Sequence, residues 1–255
     1  MKKITKILAL SLALLICTSL LSACSAKPAT PAGDAADTVL VMATNAYFPP
    51  YEFYENEKIV GIDAEVAAKI AEKLGMTLEI EDMEFGSIIT AVQTGKVDMG
   101  MAGMTVSEDR LKNVDFSTSY ATGIQSVIVK EGSDITSLDD LEGKQIGVQE
   151  NTTGDLYVSD DYGEEFTNRY SKGTDAVLAL TQGKIDCVII DNEPAKSFVA
   201  ANSGLVILET EYAVEEYAIA IAKGSDLLEP INKALDELIA DGTLEAIIAK
   251  YIPAA

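Results

Sequence analysis

Apolar and polar positions along this chain follow two periods, and the boundaries between them outline its elements. Val39 to Thr44 is a short, nearly continuous apolar run, the mark of a buried strand. Across residues 63–74 the apolar positions Val66, Ile70 and Leu74 recur every fourth residue and stop at Gly75, which predicts an amphipathic helix ended by glycine. One grammar then occurs twice. Ala91-Val92-Gln93-Thr94-Gly95-Lys96-Val97-Asp98 runs into the apolar stretch Met99-Gly100-Met101-Ala102. Ala179-Leu180-Thr181-Gln182-Gly183-Lys184-Ile185-Asp186 runs into Cys187-Val188-Ile189-Ile190-Asp191-Asn192. Each copy reads as a helix, a glycine stop and a buried strand, the αβ half of a βαβ unit, so two α/β lobes are expected. Further strands are predicted at 120–125, 124–130, 145–148, 206–208 and 217–222. Helices are predicted at 175–181, 194–201 and, with a break at Gly242, 227–251. The chain passes between lobes near 120–125 and again near 211–218, so the hinge is expected to have two strands.

Candidate chemistry sits where these strands end. After Gly100 come Ala102, Gly103 and Thr105, then Arg110. Gly103 has no Cβ and admits a close approach to its backbone, Thr105 offers a hydroxyl, and the planar fork of Arg110 matches a carboxylate with two parallel hydrogen bonds. Arg110 alone fits an exposed ion pair with Glu108 equally well. Asp191 closes the second apolar strand; with Asn192 and Pro194 it also fits the start of the next helix. In open parallel sheets ligands sit beyond the carboxyl ends of strands. An arginine from one lobe facing an aspartate from the other matches the carboxylate and ammonium of a free α-amino acid.

A set of motifs carries a resemblance over about 39–252. They are Asn45-Ala46-Tyr47-Phe48-Pro49-Pro50-Tyr51-Glu52, Val60-Gly61-Ile62-Asp63, the stretch from Ala102 to Arg110, Val114-Asp115-Phe116-Ser117, Gly147-Val148-Gln149-Glu150-Asn151-Thr152-Thr153, and Asp191. With them the chain resembles the solute-binding proteins of polar amino acid ABC transporters, the family of arginine-, histidine- and glutamine-binding proteins. The resemblance implies an α/β, two-lobe periplasmic-binding-protein-like fold of type II, each lobe a mainly parallel sheet flanked by helices. It implies lobe 1 from 38–122 and 215–255 and lobe 2 from 123–214. It implies a ligand site of Asn45, Phe48, Phe85, Ala102, Gly103, Thr105, Arg110, Gln149, Thr152, Thr153 and Asp191, with Phe48 and Phe85 holding the side chain between apolar faces. Thr152 reads as well as an ordinary helix N-cap. The family places an aromatic where this chain has Ile62, so one pocket wall is expected to differ. Asn45 stands where arginine and lysine binders carry an acid, which favours an uncharged polar side chain. Gln149, Thr152, Thr153 and the two phenylalanines keep the arginine or lysine reading open. No cofactor, metal or catalytic group is implied; the partners are a small amino acid and an ABC permease, and the protein is expected to be a monomer.

The N-terminus adds a location. Lys2, Lys3 and Lys6 precede an apolar run from Ile7 to Leu21, so 1–23 reads as a secretory signal rather than a membrane span. Leu21-Ser22-Ala23-Cys24 resembles a bacterial lipobox, which makes Cys24 the lipidated first residue on the extracellular face of the cell membrane; cleavage at an Ala-x-Ala-like site without lipid fits less well. Residues 24–37 are rich in Ala, Pro, Ser, Thr and Gly and read as a tether reaching at most roughly 45 Å. Losing 1–23 removes three lysines and no acid, which moves the formal net charge from −22 to −25 and excludes nucleic acid as a partner. Cys187 is then the only thiol of the folded part, placed in an apolar strand as a small hydrophobe.

The chain contains no histidine. Ser-His-Asp and Cys-His mechanisms and most zinc sites are thereby excluded. A dehydratase using carboxylates on the same fold is the competing enzyme class. A sensory domain would need a spanning helix and an output module, for which the sequence after Ile252 has no counterpart.

Overall fold

The computed structural model describes residues 38–209 and 211–253, and most of its elements trace back to the apolar pattern. The signal segment, Cys24 and the tether fall outside the described residues. β1 (Val39–Thr44) carries Leu40, Met42 and Ala43 at zero exposure. A three-stranded antiparallel meander follows, β2 (Tyr47–Phe48), β3 (Glu52–Glu55) and β4 (Lys58–Val60). α1 (Ile62–Leu74) ends as the spacing predicts, on left-handed Gly75, whose N–H reaches back to the carbonyls of Ala71 and Glu72. Ile62 is fully buried in the core, so its missing aromatic alters no pocket wall directly. Then come β5 (Thr77–Asp82), α2 (Phe85–Gln93), β6 (Met99–Gly100), the single turn α3 (Glu108–Leu111) and β7 (Val114–Phe116).

β8 (Ala121–Lys130) crosses to the second sheet as one uninterrupted strand. Beyond it lie β9 (Ile146–Gln149), α4 (Thr153–Tyr162), β10 (Thr167–Tyr170), α5 (Gly173–Thr181), β11 (Cys187–Asp191), α6 (Asn192–Ala201) and β12 (Leu205–Ile207). The expected single strand at 217–222 is two: β13 (Ala213–Tyr217) lies on β8 in the second sheet, and β14 (Ala220–Ala222) joins the first. α7 (Leu228–Ala240) and α8 (Thr243–Tyr251) meet at Gly242, the predicted break.

The first sheet runs β5-β1-β6-β14-β7, and the second β10-β9-β11-β8-β12 with β13 also on β8. The βαβ parts are parallel as expected. The crossing and returning strands are antiparallel, which makes both sheets mixed. The repeated segments lock their strands identically. Gly95 and Gly183 take φ of 68° and 71°, and the N–H groups of Lys96 and Lys184 return 3.0 Å to the carbonyls of Ala91 and Ala179. Asp98 then accepts from the N–H of Val41 at 2.7 Å, and Asp186 from that of Gln145 at 2.8 Å. Each aspartate thus ties the head of its strand to the neighbouring strand. Cys187 is fully buried against Val127, Ile146 and Val148, and burial pushes its thiol up to about 12.

Candidate functional site

The first wall of the site grows from the end of β6. After Gly100 the chain turns at Gly103, φ 52°, whose N–H donates to Asp63 Oδ2 at 2.9 Å. Ser107 caps α3 by accepting the Arg110 N–H at 3.3 Å, and this short turn aims the arginine inward. Arg110 is 8 % exposed, donates to the Thr105 carbonyl at 2.8 Å and lies 5.2 Å over the Phe85 ring. None of the ion pairs among the described residues includes it, and Glu108 is exposed, so the surface-pair reading of Arg110 is not the one adopted. A buried guanidinium with two carbonyl partners and no contacting carboxylate keeps donors for an anion.

The second wall comes from the carboxyl ends of β9 and β11. Asp191 stands at the N-cap of α6, yet its side chain makes no capping bond. It accepts from Gln125 Nε2 at 2.8 Å and closely from the Tyr217 hydroxyl. Burial, and then the charge of Glu215, raise its carboxyl to about 7. Gln149 donates to Asn45 Oδ1 at 3.0 Å, and Arg110 donates to the Asn151 carbonyl at 3.2 Å, so the two walls touch. Asn45 in turn donates to the Met83 carbonyl at 2.8 Å. Thr152 spends its hydroxyl on α4, accepting from Asp155 N–H at 3.3 Å and donating to the Gln149 carbonyl at 2.7 Å. The helix-cap alternative for Thr152 is therefore real, although its surface still lines the cavity.

One cavity of about 310 Å³, open solvent at its mouth included, is lined by Asn45, Phe48, Phe85, Ala102, Gly103 and Thr105 from the first wall. Arg110, Gln149, Thr152, Thr153 and Asp191 complete it together with Glu52. All eleven residues singled out from the sequence thus converge on one space. Glu52 joins them as a twelfth. It is 1 % exposed, and burial, then the charge and the hydrogen-bonding side chain of Asp63, raise its carboxyl well above the usual range, so that it holds a proton toward Asp63. Asp63, held by Gly103 N–H and the Tyr120 hydroxyl, is raised by burial to about 6. Glu215 and Gln125 are the other polar groups behind the cavity that the sequence did not disclose.

These buried acids make stability depend on pH with a definite sign. Carboxyls whose folded values are raised hold protons that the unfolded chain releases, so folding loses stability as pH rises from about 4 to 7. The exposed acids held low by their partners, Asp115 by the Gly224 N–H and Lys223 and Glu164 by Arg169, act only below that window. The melting point of the unliganded protein should therefore be higher at pH 5 than at pH 8, by about 2–4 °C per kcal/mol gained. Scanning calorimetry showing the reverse trend would contradict the protonated state of these groups.

A model of the bacterial extracellular solute-binding proteins, family 3, matches residues 40–254. The arginine-binding extracellular protein ArtP of Bacillus subtilis (strain 168) is 35% identical over 222 residues, covering 83% of this chain and 85% of its own. An ancestral arginine-binding protein bound to glutamine superposes with a TM-score of 0.80 at 40% identity, over 85% of this chain and 98% of that one. An ancestral arginine-binding protein bound to arginine gives 0.79 at 42% identity, over 84% of this chain and 98% of that one. Among the described residues no helix is long and apolar enough to cross a membrane.

Proposed function

This chain belongs to family 3 of the bacterial extracellular solute-binding proteins and has their type II two-lobe α/β fold, and from that premise we propose that it captures a free polar L-amino acid and delivers it to an ABC permease. The observation that carries this is Arg110, buried without a contacting carboxylate, across one cavity from Asp191. The guanidinium takes the ligand's carboxylate and Asp191 its ammonium, each charge replacing the water lost on burial. Lobe 1 comprises 38–122 and 215–255, and lobe 2 123–214. The paired strands β8 and β13 form the hinge, and the Gln149–Asn45 and Arg110–Asn151 bonds belong to the closed state. The protein binds and releases without covalent chemistry, as a monomer held on the extracellular face by lipid on Cys24.

For the ligand's side chain, Asn45 favours an uncharged polar group, because its amide supplies a donor and an acceptor but no charge. A second reading, an arginine or lysine side chain, is favoured by Glu52, a buried carboxyl on the cavity lining that a ligand cation would draw into its charged form. Isothermal calorimetry with L-glutamine, L-cystine, L-histidine, L-lysine and L-arginine separates the two. Asn45→Asp should raise affinity for L-arginine relative to L-glutamine by about tenfold or more, the effect of roughly 1.4 kcal/mol. Tight native binding of L-arginine with no response to the neutral set would overturn the uncharged reading and assign the counter-charge to Glu52. Failure of every L-amino acid to bind would sink the proposed function.

A further inference from the structure

Glu215 lies on β13, one strand of the proposed hinge, and is 5 % exposed. Its carboxylate accepts from three separate segments. Oε1 takes the Tyr157 hydroxyl of α4 at 2.8 Å; Oε2 takes the Thr105 hydroxyl at 3.2 Å and Gln125 Nε2 of β8 at 3.0 Å. Two of these donors are already committed to the site. The Gln125 amide that reaches Glu215 also donates to Asp191 at 2.8 Å, and the Thr105 carbonyl receives Arg110 at 2.8 Å. Glu215 therefore stands one residue behind both charges that meet the amino acid, while it is not itself on the cavity lining.

We propose that Glu215 is a positioning residue of the amino-acid site, a hinge-strand carboxylate that holds Thr105 against Arg110, turns the Gln125 amide toward Asp191 and draws Tyr157 of the second lobe onto the first. This rests on the proposed amino-acid capture. A carboxylate is suited to the position because it only accepts, and three donors converge on it. Glutamine has the same shape but presents an NH2 group to one of those donors, so at least one bond is lost and an N–H is set against an O–H or N–H. The position also carries a charge. Asp191 is faced by Gln125 from β8, by Tyr217 and Glu215 from β13, by Arg110 from α3, and at longer range by Glu52 and Tyr51. Burial is the larger cause of its raised value and Glu215 the next. Ionised Asp191 holds the ligand's ammonium, so native affinity falls as pH drops through about 7 and is full only well above it. Without the Glu215 charge, Asp191 ionises at lower pH and the fall in affinity moves down with it.

The experiment has one arm without ligand and one with it. Carboxyl-carbon NMR follows the titration of Asp191 in the unliganded native protein and in Glu215→Gln. Calorimetry follows L-glutamine and L-arginine from pH 5.5 to 8.5, both as probes, in the same proteins and in Tyr157→Phe. Glu215→Gln is expected to lower the Asp191 midpoint by roughly half a pH unit or more, and to weaken binding at pH 8 by about five- to tenfold. Tyr157→Phe, a milder change at a half-buried hydroxyl, should weaken binding several-fold while leaving the pH profile in place, and it serves if Glu215→Gln does not fold. A uniform loss at every pH with an unmoved Asp191 midpoint would overturn the proposal, as would unchanged affinity in both variants. If the native protein binds neither probe nor L-cystine, L-histidine or L-lysine, the amino-acid reading falls, and the ligand-free titration still decides whether Glu215 governs Asp191.

Discussion

Arg110→Ala is expected to abolish capture of every amino acid rather than change the preference among them. The guanidinium is buried, stacked on Phe85 and anchored by the Thr105 carbonyl, so its direction is set before a ligand arrives. Truncating one partner of a desolvated, hydrogen-bonded charge pair costs about 2–5 kcal/mol or more, roughly 30- to several-thousand-fold in affinity. Arg110 also donates to the Asn151 carbonyl of the opposite wall, so its loss weakens closure together with the carboxylate contact. Asp191 and Glu215 would meanwhile lose the nearby cation that balances them. Arg110→Lys is the informative control: a point charge on a flexible stem cannot reproduce the fork, so most of the loss should persist. Calorimetric titration of Arg110→Ala matching the native protein would refute this account.

The largest expected effect on folding is at Gly61. Its φ of 124° and ψ of −178° lie in a region open essentially to glycine, and a Cβ there would stand 2.2 Å from the Tyr51 carbonyl oxygen and 2.8 Å from that of Pro50. Those two carbonyls receive the N–H groups of Asp63 and Ile62 at 2.9 and 3.1 Å, which ties the loop before β3 to the first turn of α1. Gly61→Ala must therefore break these bonds as well as strain the backbone. With about 1–3 kcal/mol for the strain and about 1 kcal/mol for each bond, the loss approaches a third or more of an ordinary domain's stability. The same loop carries Phe48 and Glu52, so the site should fail with it. Gly75→Ala is the comparison: φ is 68° and nothing lies within 4 Å of the added Cβ, so only about 1 kcal/mol should be lost. Denaturant midpoints of the two variants should differ widely; equal midpoints would contradict the steric argument.

The residues differ in how far they can be read from sequence. Arg110 and Asp191 were legible only as a pair, each reached soon after an apolar strand and both within the resemblance; taken singly, each fits a surface ion pair or a helix start as well. The segments 91–98 and 179–186 were legible because helix period, glycine stop and strand are local. Glu215 was not. In β13 the apolar Val214 is 63% exposed while Glu215 and Tyr217 turn inward, which inverts the alternation by which a strand's buried face is recognised. The inward face there meets donors from Thr105, Gln125 and Tyr157, so the acid is buried and the valine is not. Likewise, the run 217–222 reads as one strand because its apolar pattern is continuous, yet Ala218 and Ile219 carry the chain between two sheets.

The amino-acid order by itself determined what depends on periodicity and on glycine: α1 and its stop at Gly75, the twin helix-to-strand segments, the two α/β lobes, and a cation and an anion placed at strand ends. These follow because a few neighbouring residues suffice to select a helix, a turn or a buried strand. Only the tertiary structure decided that 121–130 is one continuous strand of the second sheet, that Asp191 turns to Gln125 and Tyr217 instead of capping α6, and that Glu52 and Glu215 are buried. A polar group stays inside a protein only where donors or charges arrive to compensate its lost hydration, and the donors of Asp191 and Glu215 come from segments about 26 to 110 residues away.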